Sequence, residues 1–346
     1  MLVALALSAL ACLPQVGRTP ASGLRVELGA LALREATGQE LETGLQRIGC
    51  EGTLIDIELA VMLAARIEER VADSETTRGT QALRAAASAV FARHAIKLPR
   101  LGSLLGERAQ PWRGALIAAI GDSRTPQAVA RLGEWLAIEG EDTRDTVAAL
   151  SHAARGMQGP FDERTRTAVR ALLDRPGRAG YREAILCAGW LEDDEATDAL
   201  LDLLRSGHSG LAKDARWSLE RITGVQLGPD ALTWRRWLAE ERDWRLEFLP
   251  GALDDLLGED VSAQARALNE IVRHRFPRHE LAQRLAGRLG ALDGERFRCA
   301  CAALGELRSV TASEALRQVS DQDRPTPERL AAQAALARIA SPASRP

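Results

Sequence analysis

Lysine is almost absent from this chain of 346 residues, which carries only Lys97 and Lys213. Arginine therefore supplies nearly all of the positive charge, and 48 acidic against 45 basic residues leave a net charge of −3. A slightly acidic chain with interspersed charges argues against a dedicated nucleic-acid-binding protein, which usually carries a basic excess. The hydrophobic content of 46% also excludes an intrinsically disordered chain.

Cysteine and histidine are too few and too scattered to form a metal site or a disulfide framework. Cys299 and Cys301 lie two apart in a helical pattern, so their side chains point to nearly opposite sides. None of the five histidines has metal-ligand spacing, and no phosphate-binding loop or dinucleotide fingerprint is present. The string GHSG at 207–210 lacks the last glycine and the preceding strand of a nucleophile elbow. We therefore predict no catalytic residue, no cofactor-binding residue and no metal ligand.

Long apolar segments are also missing, so the sequence predicts no transmembrane segment. Residues 2–13 form an apolar run too short to span a bilayer, and Ala9-Leu10-Ala11 fits the cleavage pattern of an export signal, although no basic residue precedes Arg18. We expect residues 1–23 to be an export signal or a disordered N-terminus. An export signal would make the protein periplasmic or envelope-associated. A buried N-terminal helix on a cytoplasmic protein is the alternative. Cys12 leaves a lipid anchor open, but Ala9 and Leu10 are poor residues for lipoprotein processing.

An internal repeat emerges when the chain is laid on itself. Three segments align without gaps on Gly121, Gly189 and Gly305, which lie 68 and 116 residues apart, near two units of about 34 and three of about 39 residues. Each reads as an Ala-rich helix, a short polar turn, and a second helix with apolar residues three and four apart. We expect each glycine to end its first helix in the left-handed conformation. Spacings in this range are typical of two-helix solenoid repeats.

The repeat pattern resembles the HEAT-repeat family, in particular the short prokaryotic repeats of the bilin-lyase type. AIGDSRTPQAVARLGEWL, at 119–136, is the closest match, and LERITGVQLGPDALTWRRWL, at 219–238, resembles a cassette of bacterial envelope HEAT-repeat proteins. The resemblance implies an all-α fold, a right-handed α-solenoid of HEAT-like helical hairpins with an armadillo-like architecture. Since HEAT arrays serve chiefly as interaction surfaces, it says little about a specific function.

The predicted domain organisation has four parts. The export signal or disordered N-terminus at 1–23 is followed by an N-terminal helical region at 24–110, which does not align with the repeats and could cap the first one. The HEAT-like repeat array occupies 111–340, and 341–346 form a disordered tail.

A cluster of tryptophans stands out in a chain that is only 4% aromatic, since four of the seven lie between 217 and 244. Trp234 and Trp237 share one helix face, while Arg235 and Arg236 project sideways. Our main interpretation is that the indoles pack in the core. The alternative is that Arg235, Arg236, Arg242, Arg245 and Trp244 form a contact patch for an anionic or aromatic group.

The preferred function is that of a non-enzymatic HEAT-repeat scaffold that binds a protein partner through its curved helical surface. The candidate partner contacts are Arg235, Arg236, Arg242, Trp244, Arg245, Arg131, Glu134, Asp198 and Asp202. One alternative is a lyase-like or small-molecule- or chromophore-handling protein that uses the concave face. A nucleic-acid-binding protein of HEAT-like fold is a further alternative, which the balanced charge disfavours.

Overall fold

The computed structural model describes residues 38–68, 73–94, 113–138, 142–155, 157, 159, 161–274, 276–321 and 324–340. The predicted export segment with Cys12 and the predicted tail at 341–346 lie outside these residues. All regular secondary structure in the described ranges is helical, with 17 α-helices and no strand, which confirms the all-α prediction. The chain divides into two compact units near Cys187, and unit 1 precedes unit 2 along the chain except for 158–160, which belong to unit 2.

Unit 1 is built from helices that pack in the order of a solenoid. Its helices are α1 (Gly38–Glu51), α2 (Leu54–Glu68), α3 (Asp73–Arg93), α4 (Arg113–Asp122), α5 (Pro126–Leu136), α6 (Thr143–Ala154), α7 (Glu163–Leu173) and the first part of α8 (Tyr181–Trp190). Helix α4 packs on α6, and α5 packs on both α6 and α7. Stacking of each helix on its counterpart in the next hairpin is the arrangement of an α-solenoid.

Unit 2 contains the end of α8 and the remaining helices. These are α9 (Thr197–Arg205), α10 (Ser209–Thr223), α11 (Ala231–Glu247), α12 (Leu249–Leu257), α13 (Val261–Arg273), α14 (Arg278–Ala286), α15 (Gly294–Leu307), α16 (Ser313–Asp321) and α17 (Thr326–Ala340). Single 3₁₀ turns at Asp194–Ala196 and Val310–Ala312 lead into α9 and α16. A continuous core of buried Leu, Ile, Phe and Ala side chains runs from Trp244 to Ile339.

Helix α5 shows how the sequence sets these elements. Thr125 is its N-cap, and its hydroxyl oxygen accepts a hydrogen bond from the Ala128 backbone N–H at 3.2 Å. Pro126 follows in the first turn, where its missing N–H costs nothing. The residues that the helix then buries, Ala128, Val129, Leu132, Gly133 and Leu136, fall on one stripe.

The three aligned glycines do not end their helices in the left-handed conformation, and this part of the sequence interpretation is wrong. The left-handed residue comes three positions later in each unit, at Arg124, Glu192 and Arg308, with φ of 47°, 51° and 49°. Each of them is followed by a residue with extended backbone angles that leads into the second helix, as Thr125 does at φ −113° and ψ 151°.

The glycines instead allow neighbouring helices to approach closely. A Cβ at Gly121 would lie 2.6 Å from the Ala149 carbonyl oxygen, and one at Gly189 would lie 2.9 Å from Ser218 Cα. At Gly305 the nearest backbone atom is Ala335 Cα at 3.2 Å. In every case the first helix of one hairpin meets the first helix of the next, which is why the same position of the repeat needs glycine.

The N-terminal helical region uses the same kind of contact. Gly49 in α1 faces Ala86 in α3, where a Cβ would lie 3.3 Å from Ala86 Cα. Helices α1 and α3 pack extensively, and α3 packs in turn on α4. The region that did not align in sequence therefore joins the helical array through the packing that the repeats use.

We predict that Gly189→Ala lowers the free energy of unfolding by about 1–3 kcal/mol, because the new methyl group meets Ser218 and Trp217 in a packed interface. Gly251→Ala is the matched control in unit 2. Nothing lies within 4 Å of a Cβ at that helical glycine, so its stability should stay equal or rise by up to about 1 kcal/mol. Denaturant unfolding measures both, and equal effects of the two substitutions would contradict the close-approach account.

Candidate functional site

The tryptophan cluster forms part of the core of unit 2. Trp234 is fully buried, and its indole N–H donates to the Gly228 carbonyl oxygen at 2.9 Å. Trp237 packs edge-on against it and also contacts Phe276, with ring centroids 6.3 and 6.0 Å apart. Burial of Trp234 confirms the core interpretation for this residue, and the contact of Trp237 with Phe276 joins α11 to the segment that precedes α14.

Trp244 requires a correction, because the contact-patch alternative placed its indole on the surface. The residue is only 6% exposed, and its ring stacks on His274 at 4.6 Å with an interplanar angle of 8°. Its indole therefore faces another side chain of unit 2, and it is not available as a contact for a partner.

A charged cleft lies beside this cluster, between the start of α9, the second half of α11 and the Phe276–Pro277 segment. Its volume is about 250 Å³. The residues that line it are Asp194, Glu195, Thr197, Asp198, Glu241, Arg242, Arg245, Phe276 and Pro277. Charged side chains from three separate segments therefore line one cleft, which makes it the candidate site of unit 2.

Two ion pairs organise the basic side chains of the cleft. Arg242 Nη2 donates to Asp198 Oδ1 at 2.8 Å, which joins α11 to α9. Arg245 Nη1 donates to Glu280 Oε2 at 3.2 Å, which turns its guanidinium toward α14. The Asp198 side chain is 69% exposed and that of Arg242 is 43% exposed, so this pair contributes little to stability and can rearrange.

Glu241 is the buried member of the cleft. Its carboxylate Oε1 lies 3.1 Å from His274 Nδ1, and the other ring nitrogen of His274 lies 3.6 Å from Glu270. Burial raises the pKa of Glu241, and the neighbouring His274 and the Phe276 backbone amide oppose this only in part. A carboxylate that is difficult to ionise lacks sufficient compensating positive charge around it.

Glu192 is a second, largely buried carboxylate, and its pKa is shifted in the direction opposite to that of Glu241. It occupies the left-handed position after α8, and its Oε2 accepts from His279 Nε2 at 2.8 Å and pairs with Arg278. Arg221 approaches Oε1 at 3.8 Å while it stacks over the Trp190 ring at 4.2 Å. Burial raises the pKa of Glu192, but the hydrogen bond from His279 and the charge of Arg278 outweigh it and lower the pKa to about 2.

Ser309, His279 and Glu192 are hydrogen-bonded in series, as in a nucleophilic triad. His279 Nδ1 lies 2.8 Å from Ser309 Oγ, while its Nε2 faces the carboxylate. Ser309 is completely buried, and its hydroxyl oxygen also accepts from the Thr311 backbone N–H as the cap of a 3₁₀ turn. A serine in that position cannot reach a substrate, so the series is a structural connection between the turns of two hairpins and α14.

The structure separates the predicted contact residues into two groups. Asp198, Arg242 and Arg245 come together in the cleft. Arg235 and Arg236 are exposed on α11 outside its lining, and Asp202 is 76% exposed in a loose pair with Arg205 at 3.7 Å. Arg131 and Glu134 lie in unit 1, where they pair with each other at 2.8 Å.

Sequence reasoning missed Glu192, Glu241 and His274. The repeat alignment carried one usable signal, because Glu192 is aligned with Arg124 and Arg308 and is the only acidic residue at that turn position. No sequence signal indicated Glu241 or His274, because the contact between them joins α11 to the end of α13, 33 residues later.

The described ranges also exclude some kinds of site. Within them, no group of three or more His, Cys, Asp or Glu side chains is arranged to hold a metal ion. No helix among the described residues is both long enough and apolar enough to cross a membrane.

Comparisons with known proteins assign no family. No family model matches the chain, and no curated protein matches it. Among solved structures, the chain is similar to an engineered protein whose crystal structure was determined by the Northeast Structural Genomics Consortium. The two are 17% identical with a TM-score of 0.36, over 92% of this chain and 89% of that one. Likeness at this level supports no conclusion about fold or function.

We predict that Glu192→Gln lowers the free energy of unfolding at neutral pH by roughly 3 kcal/mol, because the wild-type carboxylate has a pKa of about 2 when folded and an ordinary value when unfolded. A lowered folded pKa gives stability that is complete above the unfolded pKa and is lost as the pH falls toward the folded one. The difference between wild type and variant should therefore shrink as the pH falls from about 4.5 to about 2.

Denaturant unfolding at several pH values tests this prediction. Asp202→Asn is the control, because its exposed carboxylate should change stability by less than about 0.5 kcal/mol at any pH. If the difference in free energy of unfolding between wild type and E192Q stays constant as the pH falls to about 2, the role assigned to Glu192 is wrong.

Proposed function

We propose that this protein is a non-enzymatic helical-repeat scaffold that binds a protein partner, and that the charged cleft of unit 2 is part of its binding surface. The observation that carries the proposal is the convergence of Asp198, Arg242 and Arg245 in that cleft. All three are charged residues on neighbouring helices of a repeat fold, and such folds bind partners through rows of side chains on a preformed surface. The resemblance of the repeats to HEAT repeats supports the same function.

The small volume of the cleft also supports a macromolecular partner. A volume of about 250 Å³ is below the range of roughly 300–1,000 Å³ that is usual for small-molecule sites. Exposed Arg235, Arg236 and Asp202 extend the charged surface around it and would form the polar rim of an interface. The apolar N-terminal run supports a place outside the cytoplasm, in the bacterial envelope.

The alternative of a lyase-like or chromophore-handling protein needs a pocket with converging titratable groups. A hollow of about 390 Å³ in unit 2 is large enough for a small molecule. Its lining is Pro250, Leu253, Asp254, Leu257, Arg284 and Arg288, which offers one carboxylate and no histidine, cysteine or hydroxyl group. That lining favours the scaffold over the enzyme.

The test is affinity capture from the native cells with the full chain as bait, beside the variants Asp198→Arg and Asp202→Arg. Both positions are exposed on α9, but only Asp198 lines the cleft. We expect wild type and D202R to retain the same protein in stoichiometric amount, and D198R to lose it, because the reversed charge repels the group that binds there.

Two outcomes would contradict the proposal. Capture of a chromophore or other small molecule without a protein would favour the alternative. Retention of the protein by D198R to the same extent as by D202R would show that the partner binds elsewhere than the cleft.

A further inference from the structure

Helix α11 carries a line of exposed apolar side chains on the face opposite its buried tryptophans. Leu232 and Leu246 are 68% and 70% exposed, and Ala239, also exposed, lies midway between them. The three positions are seven residues apart, so they form one seam along this helix of 17 residues. Exposed leucines are common one at a time, but this register is typical of a seam on which a second helix packs.

Several charged side chains beside this seam make no ion pair within the described residues. Arg235 and Arg236 flank the first half of the seam, and Asp243 and Glu247 flank the second half. All four are exposed, and none of them forms an ion pair with another described residue. The unpaired charges are therefore basic along the first half of the seam and acidic along the second half.

The spacing of the seam suits two copies of α11 that run antiparallel. A two-fold axis at Ala239 would place Leu232 of one copy level with Leu246 of the other, because each lies seven residues from that position. The small side chain of Ala239 lets the two helices come close together at the axis. The seam is therefore complementary to itself in shape, as a two-fold interface requires.

The charges select the antiparallel direction. Arg236 of one copy would approach Asp243 of the other, since the two lie on the same flank of the seam at about 100° of rotation per residue. On the other flank Arg235 would face Arg242, whose charge Asp198 neutralises within its own chain at 2.8 Å. A parallel pair would instead set each arginine against its own counterpart, and such like-charge contacts disfavour association.

We propose that the seam of α11 is a self-association surface, through which two copies of this chain form an antiparallel, two-fold dimer. The contacts of this dimer are Leu232, Arg236, Ala239, Asp243 and Leu246, none of which lines the cleft. The inference goes beyond the proposed scaffold function and does not rest on it. Each dimer presents the cleft of unit 2 twice.

Sedimentation equilibrium of the full chain, at concentrations from about 1 to about 500 µM, tests the proposal. A single helix pair about 25 Å long is a small interface, so we expect a dissociation constant of roughly 1–100 µM. Leu246→Glu should weaken dimerisation at least about tenfold, because the symmetry puts the carboxylate into the seam twice. Leu330→Glu is the matched control, since Leu330 is 59% exposed on α17 and its replacement should leave the dimer unchanged.

A charge exchange tests the antiparallel direction. Arg236→Asp and Asp243→Arg should each weaken the homodimer at least about tenfold, because each sets like charges against each other twice. An equimolar mixture of the two variants should associate within about threefold of wild type, since every contact between these positions in the mixed dimer again joins opposite charges. Both residues are exposed, so the variants should fold.

Three results would overturn the inference. A wild-type chain that stays monomeric over the whole concentration range does not associate through α11. Equal effects of L246E and L330E would place any dimer contact elsewhere than the seam. A mixture of R236D and D243R that associates no better than either variant alone would exclude the antiparallel arrangement.

Discussion

The close approach of successive first helices is the constraint on which the rest of the structure depends. At Gly121, Gly189 and Gly305 the neighbouring helix comes so near that a side chain has no room. Gly49 against Ala86 repeats the contact in the N-terminal helices. Because helices packed this closely cannot shift relative to each other, the contact constrains where the first helix of each hairpin ends and where the second helix begins. The turn that joins the two helices of a hairpin has a left-handed residue at the same position in all three aligned units.

This turn connects the packing of unit 2 to its chemistry. The left-handed position after α8 places Glu192 among Arg278, His279 and Arg221, which hold it ionised. Glu241 has His274 as its partner and lies at the edge of a cleft. Two buried carboxylates of one unit thus have pKa values shifted in opposite directions, because the number of cations around each differs. The cations around Glu192 favour its ionised form in the fold, whereas burial disfavours the ionised form of Glu241.

The sequence predicted the helices and the repeat because these follow from local patterns. Apolar spacing of three and four residues, Thr125 before Pro126, and the glycine register all act over one hairpin. The same patterns assigned the glycines the wrong role, since a glycine near a helix end suits a left-handed turn as well as a close contact. Only the position of Ala149, Ser218 and Ala335 distinguishes the two, and that position depends on the packing of the next hairpin.

The site was predicted only in part for a similar reason. Asp198, Arg242 and Arg245 were identified as charged residues on helix faces, and they do share a cleft. Glu241 belongs to the same helix as the two arginines, but its burial depends on His274 and Phe276, which follow more than 30 residues later. The contact-patch alternative placed Trp244 on the surface because an aromatic residue among arginines suits such a patch, whereas the ring of His274 stacks on it and covers it.

The central claim is that the cleft of unit 2 meets a protein partner, and photo-crosslinking in the native cells tests it most directly. A photoreactive amino acid at position 242, in the cleft, is compared with one at Arg329, which is exposed on α17 outside the cleft. The account predicts a crosslink to one specific protein from position 242 and none from position 329. Crosslinks of equal yield from both positions, or none from position 242, would contradict it.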